Sequence, residues 1–165
     1  MHNQCYSKLE TKKIKNNCKV STPPEEIKMQ QIIGLYGKHD SGKTETLNWL
    51  IALLNQAVNN VPLPIPPACW TDRREVFVYN GKIIAIATGG DDANAIQQNC
   101  AFFVAKKCDI AISATRTRGQ TCDALCTFAQ QQGLSVNYIR KMKTVNAAAY
   151  YQTNFLQGQQ IFALL

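Results

Sequence analysis

The alternation of apolar and polar positions changes at residue 30 and predicts regular structure from there onward. An apolar run at 32–36 (IIGLY) has the length of a short strand and is followed by a loop with two glycines. Over 43–60, apolar residues recur at the i, i+3, i+4 and i+7 spacing of one helix face, and Asn59-Asn60 ends this pattern. The proline-rich connector 61–67 (VPLPIPP) excludes both a helix and a central strand.

Two β-rich runs after the connector predict a hairpin. Residues 74–79 and 82–88 are separated only by Asn80-Gly81, the dipeptide most typical of a two-residue turn between antiparallel strands. The first run alternates apolar and polar residues, whereas the second is almost continuously apolar. We therefore expect the second strand to be covered on both faces and the first to lie at the edge of a sheet.

The rest of the chain continues the alternation of helices and strands. The pattern predicts helices over 93–108 and 121–133 and strands over 109–115 and 135–141. A last helix is expected from Thr144, with its apolar stripe formed by Ala148, Tyr151 and Phe155. This order is typical of an α/β fold, so we expect a three-layer domain whose five-stranded, mostly parallel sheet has one antiparallel edge strand.

Composition narrows the class of protein. Hydrophobic residues make up 45% of the 165 residues and charged residues 18%, which excludes a wholly disordered or collagen-like chain. The longest apolar runs are far shorter than a membrane span of about 20 residues, so no membrane segment is expected. The formal net charge of +7 favours polyanionic partners. Because aromatic residues do not alternate with the basic ones, nucleotide phosphates are favoured over nucleic acid.

The first part of the chain differs from the rest in composition. Residues 1–28 are polar, rich in Lys and Asn, and interrupted by Pro23-Pro24, so we interpret them as a flexible basic tail before the folded domain 29–165. The tail lacks both the apolar stretch of a secretory signal and the arginines of an organellar one. The seven cysteines include no CxxC pair. These features favour a reducing, cytoplasmic location.

The glycine loop, residues 37–44, carries the strongest chemical signal. It reads GKHDSGKT and matches G-x-x-x-x-G-K-[ST] between a predicted strand and a predicted helix. Its glycines let successive backbone amides point at phosphates, Lys43 supplies a mobile charge, and Thr44 supplies a hydroxyl for a phosphate-bound Mg²⁺. In this motif the chain resembles the P-loop NTPase superfamily. The predicted nucleotide-binding residues are Gly37, Lys38, His39, Asp40, Ser41, Gly42, Lys43 and Thr44, although His39 and Asp40 occupy variable positions and receive no separate role.

The superfamily resemblance also implies an acid at the end of a second buried strand, where it holds Mg²⁺ directly or through water. The strand at 109–115 is followed by no acid, whereas the strand at 82–88 is followed by Gly89-Gly90-Asp91-Asp92. In the commoner pattern the acid follows the apolar residues directly, and here two glycines intervene. Asp91 is the predicted metal-side acid and Asp92 the alternative, although Asp92 also fits the N-cap of the next helix.

A hairpin that carries this acid resembles the kinase-GTPase division of the superfamily. That resemblance implies the strand order 2-3-1-4-5, with the acid-bearing strand beside the strand that leads into the glycine loop. It also implies that two further loops reach the phosphates, 70–74 (WTDRR), positioned like a GTPase switch segment, and 115–119 (TRTRG). For Trp70 we favour packing against the sheet edge over stacking on a base.

Arg116 and Arg118 leave a buried strand on the predicted ligand face, where a guanidinium can contact a phosphate or the charge of a transition state. Solvent exposure, or ion pairing with a neighbouring carboxylate such as Asp91, is the alternative interpretation. GTPases carry N-K-x-D after the corresponding strand, and 115–118 does not match it. ATP is therefore the expected nucleotide, and GTP is the alternative.

Together these features predict an Mg²⁺-dependent protein that binds ATP and either hydrolyses it or transfers a phosphoryl group to a small acceptor, as kinases do. Thr44 and Asp91 are the predicted metal ligands. The alternative is a nucleotide-dependent switch in which the segment 61–75 reorders on hydrolysis and controls a protein partner. The predicted catalytic residues are Lys43, Asp91, Arg116 and Arg118.

Overall fold

The computed structural model describes residues 28–66 and 70–165, and within them the chain forms a five-stranded mixed sheet with helices on both faces. All the predicted strands and helices are present, with ends that differ by up to a few residues, although the last helix begins only after a 3-10 turn, Ala147–Ala149. The predicted tail, apart from Lys28, lies outside the described residues. The strands are β1 Gln31–Tyr36, β2 Arg74–Tyr79, β3 Lys82–Ala87, β4 Ile110–Thr115 and β5 Val136–Arg140. The α-helices of the described ranges are α1 Lys43–Asn59, α2 Ala93–Ala105, α3 Gln120–Gln131 and α4 Tyr150–Phe162.

The strand order is β2-β3-β4-β1-β5, which corrects the order 2-3-1-4-5 that the kinase-GTPase resemblance implied. β4 lies between β1 and β3 and pairs in parallel with both. All six residues of β4 are buried, as a strand with neighbours on both edges and helices on both faces requires. The end of β3, where Asp91 follows, is therefore one strand away from the glycine loop that follows β1.

The hairpin prediction is confirmed. β2 pairs antiparallel with β3 and lies at the edge of the sheet, with Tyr79 opposite Lys82. The turn residues Asn80 and Gly81 have φ angles of 50° and 74°, the left-handed conformation that a two-residue turn of this type needs. Because β2 is antiparallel, its first residues lie at the same edge of the sheet as the last residues of β3.

Two buried apolar clusters lie on opposite faces of the sheet. Side chains alternate along a strand, so Ile33 and Leu35 of β1 face α1 and α4, whereas Ile32 faces α2 and α3. The first cluster includes Leu47 and Leu50 of α1, and the second includes Phe103 of α2. No helix of the described ranges combines the length and the apolar character that crossing a membrane requires.

The apolar stripe predicted for the last helix is wrong. Ala148 and Tyr151 are exposed and Phe155 is only half-buried, whereas α4 buries a face made of Asn154, Gln157, Gly158 and Ile161. A Cβ at Gly158 would lie 3.2 Å from the carbonyl oxygen of Thr46, so this glycine lets α4 approach α1 closely. Gln157 and Oδ1 of Asn154 on this face are hydrogen-bonded within the protein, whereas Nδ2 of Asn154 has no partner among the described residues.

These buried polar residues connect α4 to the edge of the sheet at which the glycine loop lies. Gln157 donates to the carbonyl of Arg140 at 2.7 Å and accepts from the amide of Met142 at 2.9 Å. Asn154 accepts from the hydroxyl of Thr46 at 3.3 Å. Because the partners lie on β5, the loop after it and α1, the position of α4 is coupled to the segments that surround the glycine loop.

Candidate functional site

The glycine loop connects β1 to α1, and its two predicted key glycines are sterically required. A Cβ at Gly42 would lie 2.7 Å from Oδ1 of Asn154, and one at Gly37 would lie 2.7 Å from Oγ of Ser41 and 2.9 Å from Cβ of Lys141. Gly42 also has a φ of 88°, in the region that favours glycine. The loop therefore needs both glycines for its close contacts, and Gly42 for its backbone conformation as well.

The start of α1 leaves positive groups directed into the loop. None of the described side chains caps this helix, so its first amides remain available to an anion. Lys43 is only 6% exposed, and its Nζ donates to the carbonyls of Gly37 at 3.2 Å and Lys38 at 2.7 Å. Burial lowers the pKa of Lys43, while the carboxylate of Asp91 opposes that shift.

The two adjacent aspartates after β3 have different environments. Asp92 is the N-cap of α2, because its Oδ1 accepts from the amide of Ala95 at 2.8 Å. Asp91 instead borders the cavity in front of the glycine loop, within electrostatic reach of Lys43. Of the two acids that the sequence left open, Asp91 is the one that the structure brings to the loop.

The two glycines before Asp91 have a steric explanation in the strand order. Since β4 separates β3 from β1, the chain after β3 must cross the carboxyl end of β4 to reach the glycine loop. It does so in close contact, because a Cβ at Gly90 would overlap the carbonyl oxygen of Ala114. Gly90 therefore provides the space that the backbone needs at the carboxyl end of β4, directly before Asp91.

Arg116 and His39 approach Asp91, whereas the predicted Arg118 does not. Nε of Arg116 lies 3.9 Å from one carboxylate oxygen of Asp91, and Nε2 of His39 lies 4.0 Å from the other. Nδ1 of His39 is 2.6 Å from Oδ1 of Asp40, whose own φ is 51°. Arg118 is exposed, and its side chain forms neither a hydrogen bond nor an ion pair within the described ranges. The structure thus brings Arg116, but not Arg118, to the loop.

Asp72 is a site residue that the sequence reasoning did not single out. Its Oδ1 accepts from Oγ1 of Thr44 at 3.0 Å, and the same hydroxyl lies 3.4 Å from the carbonyl oxygen of Thr88. The predicted hairpin could have identified Asp72. An acid just before β2 must lie beside the residues after β3, because the two strands are antiparallel.

The cavity in front of the glycine loop has a volume of about 390 Å³. Trp70 borders it and packs edge-on against Trp49 of α1, with ring centres 5.6 Å apart. The lining includes Lys43, Thr44, Trp70, Asp72, Asp91 and Tyr150. The oxygen donors among these residues are of the kind that Mg²⁺ prefers.

A second cavity of about 540 Å³ lies on the other side of the glycine loop and shares Asp40, Ser41 and Tyr150 with the first. Lys141, the residue after β5, is 5% exposed there, and burial lowers its pKa to about 8. The amide of Lys141 donates to the carbonyl of Tyr36 at 2.8 Å, which keeps its stem against Gly37. The further lining includes Lys38, Arg140, Met142, Lys143 and Ala147.

Comparison with protein-family models, curated proteins and solved structures gives no significant match to this chain. The arrangement of its own residues is therefore the basis for a function. That arrangement combines an anion-accepting helix start, a buried lysine and two carboxylates at one edge of the sheet.

Proposed function

We propose that the chain binds a nucleoside triphosphate, with ATP preferred, in a P-loop formed by the glycine loop, and that it uses Mg²⁺ to hydrolyse the nucleotide or transfer its terminal phosphoryl group to a small acceptor. The observation that carries the proposal is the start of α1, where no described side chain occupies the first amides and Lys43 lies buried within the loop. Both groups favour an anion at the same place.

Lys43 has a direct route to the phosphates. In the structure its ammonium group bonds two neutral carbonyls, those of Gly37 and Lys38. A hydrogen bond to a charged oxygen is stronger than one to a neutral carbonyl, so phosphates would replace these partners favourably. The lysine is also held in place before the ligand arrives, which reduces the conformational entropy lost on binding.

The oxygen donors near Thr44 fit a magnesium ion that is shared with phosphates. No three His, Cys, Asp or Glu side chains of the described residues are grouped so that they would hold a metal by themselves. Mg²⁺ in nucleotide sites uses one or two carboxylates together with phosphate oxygens and water. The ion would supply a positive charge that stabilises the charge developing on the phosphates.

The second cavity offers space for the nucleoside. Its volume is in the range of small-molecule sites, and the apolar parts of Met142, Ala147 and Tyr150 line it. This second cavity also touches the glycine loop at Ser41, so one ligand can extend into it from the cavity in front of the loop. This position supports a nucleotide over a simple phosphate as the ligand.

The position of Arg116 supports phosphoryl chemistry. Its guanidinium lies beside Asp91, which borders the cavity in front of the glycine loop. Once Mg²⁺ and phosphate are bound there, the guanidinium would move from Asp91 to the phosphoryl group that is transferred. The switch function is retained as a second candidate because of the hydrogen bond between Thr44 and Asp72. That bond joins the segment 61–75 directly to the predicted metal site, as a nucleotide switch requires.

The test is nucleotide titration of the wild type and of Lys43→Ala, with ATP and GTP, in Mg²⁺ and in EDTA. We expect the variant to fold normally and to lose about 10- to 100-fold in triphosphate affinity, because one charged donor to phosphate contributes about 1.5–3 kcal/mol. Lys106→Ala is the matched control, since it removes an equal charge from the exposed end of α2. Equal affinities of the wild type and Lys43→Ala would exclude the P-loop assignment.

Turnover separates the two functional candidates. If the protein is a kinase, low-molecular-weight acceptors will accelerate nucleotide consumption and become phosphorylated. If it is a switch, no small acceptor will have this effect, and protease sensitivity of the segment 61–75 will differ between diphosphate and triphosphate states.

A further inference from the structure

Asp72 lies where a cation bound to Thr44 would be in contact with it. We infer that Asp72 is a metal-binding residue that contacts the magnesium ion directly beside Thr44, while Asp91 acts through water. The inference rests on the proposed function and goes beyond it, because Asp72 belongs to neither the glycine loop nor the acid that follows β3.

The distance between the two oxygens fits shared coordination. Oγ1 of Thr44 and Oδ1 of Asp72 are 3.0 Å apart. Mg²⁺ binds six oxygens octahedrally at about 2.1 Å, so two neighbouring ligands lie about 3 Å from each other. An ion would therefore replace the hydrogen bond without moving either side chain appreciably.

The backbone on both sides of Asp72 is held in place by the hairpin and α1. The amide of Arg73 donates to Oγ1 of Thr88 at 2.8 Å, and the amide of Thr88 donates to the carbonyl of Arg73 at 3.0 Å. Nε of Arg73 donates to Oδ1 of Asn48 at 2.6 Å. A Cβ at Gly89 would lie 2.9 Å from Cγ of Asp72, so this glycine provides the space for the carboxylate. The position of Asp72 is thus determined before any ligand binds.

The charges around Asp72 and Asp91 differ in a way that favours Asp72 as the direct ligand. The two oxygens of Asp91 face Arg116 and His39. Of the ion pairs within 28–66 and 70–165, none involves Asp72, and the neighbouring Arg73 is directed at Glu75 and Asn48. Because Asp72 has no paired cation in the described structure, it can bind an external cation without first breaking an ion pair, whereas Asp91 would have to give up Arg116.

The experiment compares Asp72→Asn, Asp91→Asn and wild type for binding of a non-hydrolysable triphosphate in EDTA and in Mg²⁺. Asn retains an oxygen that accepts from Thr44, so we expect the fold and the affinity in EDTA to be preserved. In Asp72→Asn, the gain in affinity that Mg²⁺ gives the wild type should fall at least tenfold, whereas Asp91→Asn should keep most of it. Electron paramagnetic resonance of bound Mn²⁺ provides a second readout, with the signal of the nucleotide complex changing only for Asp72→Asn.

Asp123→Asn is the control, because it removes an exposed carboxylate from the first turn of α3. If Asp72→Asn keeps the full Mg²⁺ gain and Asp91→Asn loses it, the inference is overturned, and the contact with Thr44 is only a hydrogen bond. Failure of the wild type to bind triphosphate in either condition would instead reject the proposed function and the inference with it. Thermal melting of each variant shows whether a lost effect comes from unfolding.

Discussion

Burial of Lys141 makes the stability of this protein depend on pH in a predictable direction. The side chain is 5% exposed, and its Nζ donates to the carbonyl of Met142 at 2.9 Å. The pKa of Lys141 is lowered from 10.5 to about 8, mainly because the side chain is buried. The carboxylate of Glu45 opposes this shift, and the charge of Lys43 adds to it. Below about pH 8 the folded chain therefore contains a buried ammonium group.

The sign follows from proton linkage. Between about pH 8 and 10.5 the unfolded chain holds the proton on Lys141 and the folded chain has released it. Lys141 therefore makes the free energy of unfolding rise with pH through this window. The added stability is lost progressively as the pH falls from about 10.5 to about 8. A pKa difference of about 2.5 corresponds to about 3 kcal/mol, which is an upper value for the effect.

The perturbation is Lys141→Met, which keeps the apolar stem but cannot titrate. Urea unfolding of the variant and the wild type, measured from pH 7 to 10.5 under reducing conditions, gives the difference in free energy of unfolding at each pH. The wild type should gain about 2–3 kcal/mol relative to the variant across this range. The tyrosines and cysteines that titrate in the same window are common to both proteins, so they cancel. A constant difference, equal to that of the exposed control Lys106→Met, would refute the reasoning.

Three further predictions concern the ligand edge of the sheet. Asp91→Asn should reduce Mg²⁺-dependent turnover more than nucleotide binding in EDTA, and Asp92→Asn should be milder because Asn also caps helices. Arg116→Ala should lower kcat about 100-fold with little change in nucleotide affinity, as loss of one transition-state donor does, whereas Arg118→Ala should remain near wild type in steady-state kinetics. Gly90→Ala should destabilise the fold by about 3 kcal/mol or more in urea unfolding, because the added methyl overlaps a carbonyl of β4.

Each of these three predictions has a measurable outcome that would contradict it or a variant for comparison. A larger turnover defect in Asp92→Asn than in Asp91→Asn would reverse the choice of acid. An equal kcat for Arg116→Ala and the wild type would show that the pair with Asp91 is a surface ion pair only. Gly81→Ala is the comparison for Gly90→Ala, since a Cβ there meets nothing within 4 Å and is disfavoured only by the φ of 74°.

Local sequence patterns determined most of the secondary structure. The 3.6-residue period of 43–60 gave α1, with Asn60 as its left-handed C-cap, and Asn80-Gly81 gave the hairpin turn. Such features are local, because a helix face or a two-residue turn depends on residues close in the chain. The glycine loop was identifiable for the same reason, since its eight residues are contiguous and their neighbours predict a strand and a helix.

The sheet order and the buried face of α4 were decided by tertiary structure. β1, β3 and β4 are all short apolar runs, so their sequence patterns do not indicate which of these strands lies between the other two. The kinase-GTPase resemblance implied a different order from the one that the structure has. The buried face of α4 contains Asn154 and Gln157, whereas a prediction from the spacing of apolar residues places both in solvent. The amide of Gln157 is satisfied by the backbone of Arg140 and Met142, and Oδ1 of Asn154 accepts from Thr46. These partners come together only in the folded chain.

The candidate site divides along the same line. Lys43 and Thr44 were recognisable from one contiguous motif, whereas Asp72 became a candidate only when the antiparallel hairpin placed it 3.0 Å from the Thr44 hydroxyl, 28 positions away in the sequence. Only the tertiary structure distinguishes Arg116, which reaches Asp91, from Arg118, which does not, because the conformation of the loop sets the direction of each side chain. The sequence by itself thus determined the contiguous glycine loop. The fold decided which distant carboxylates and cations face that loop, because the proximity of side chains on different strands depends on how the sheet is assembled.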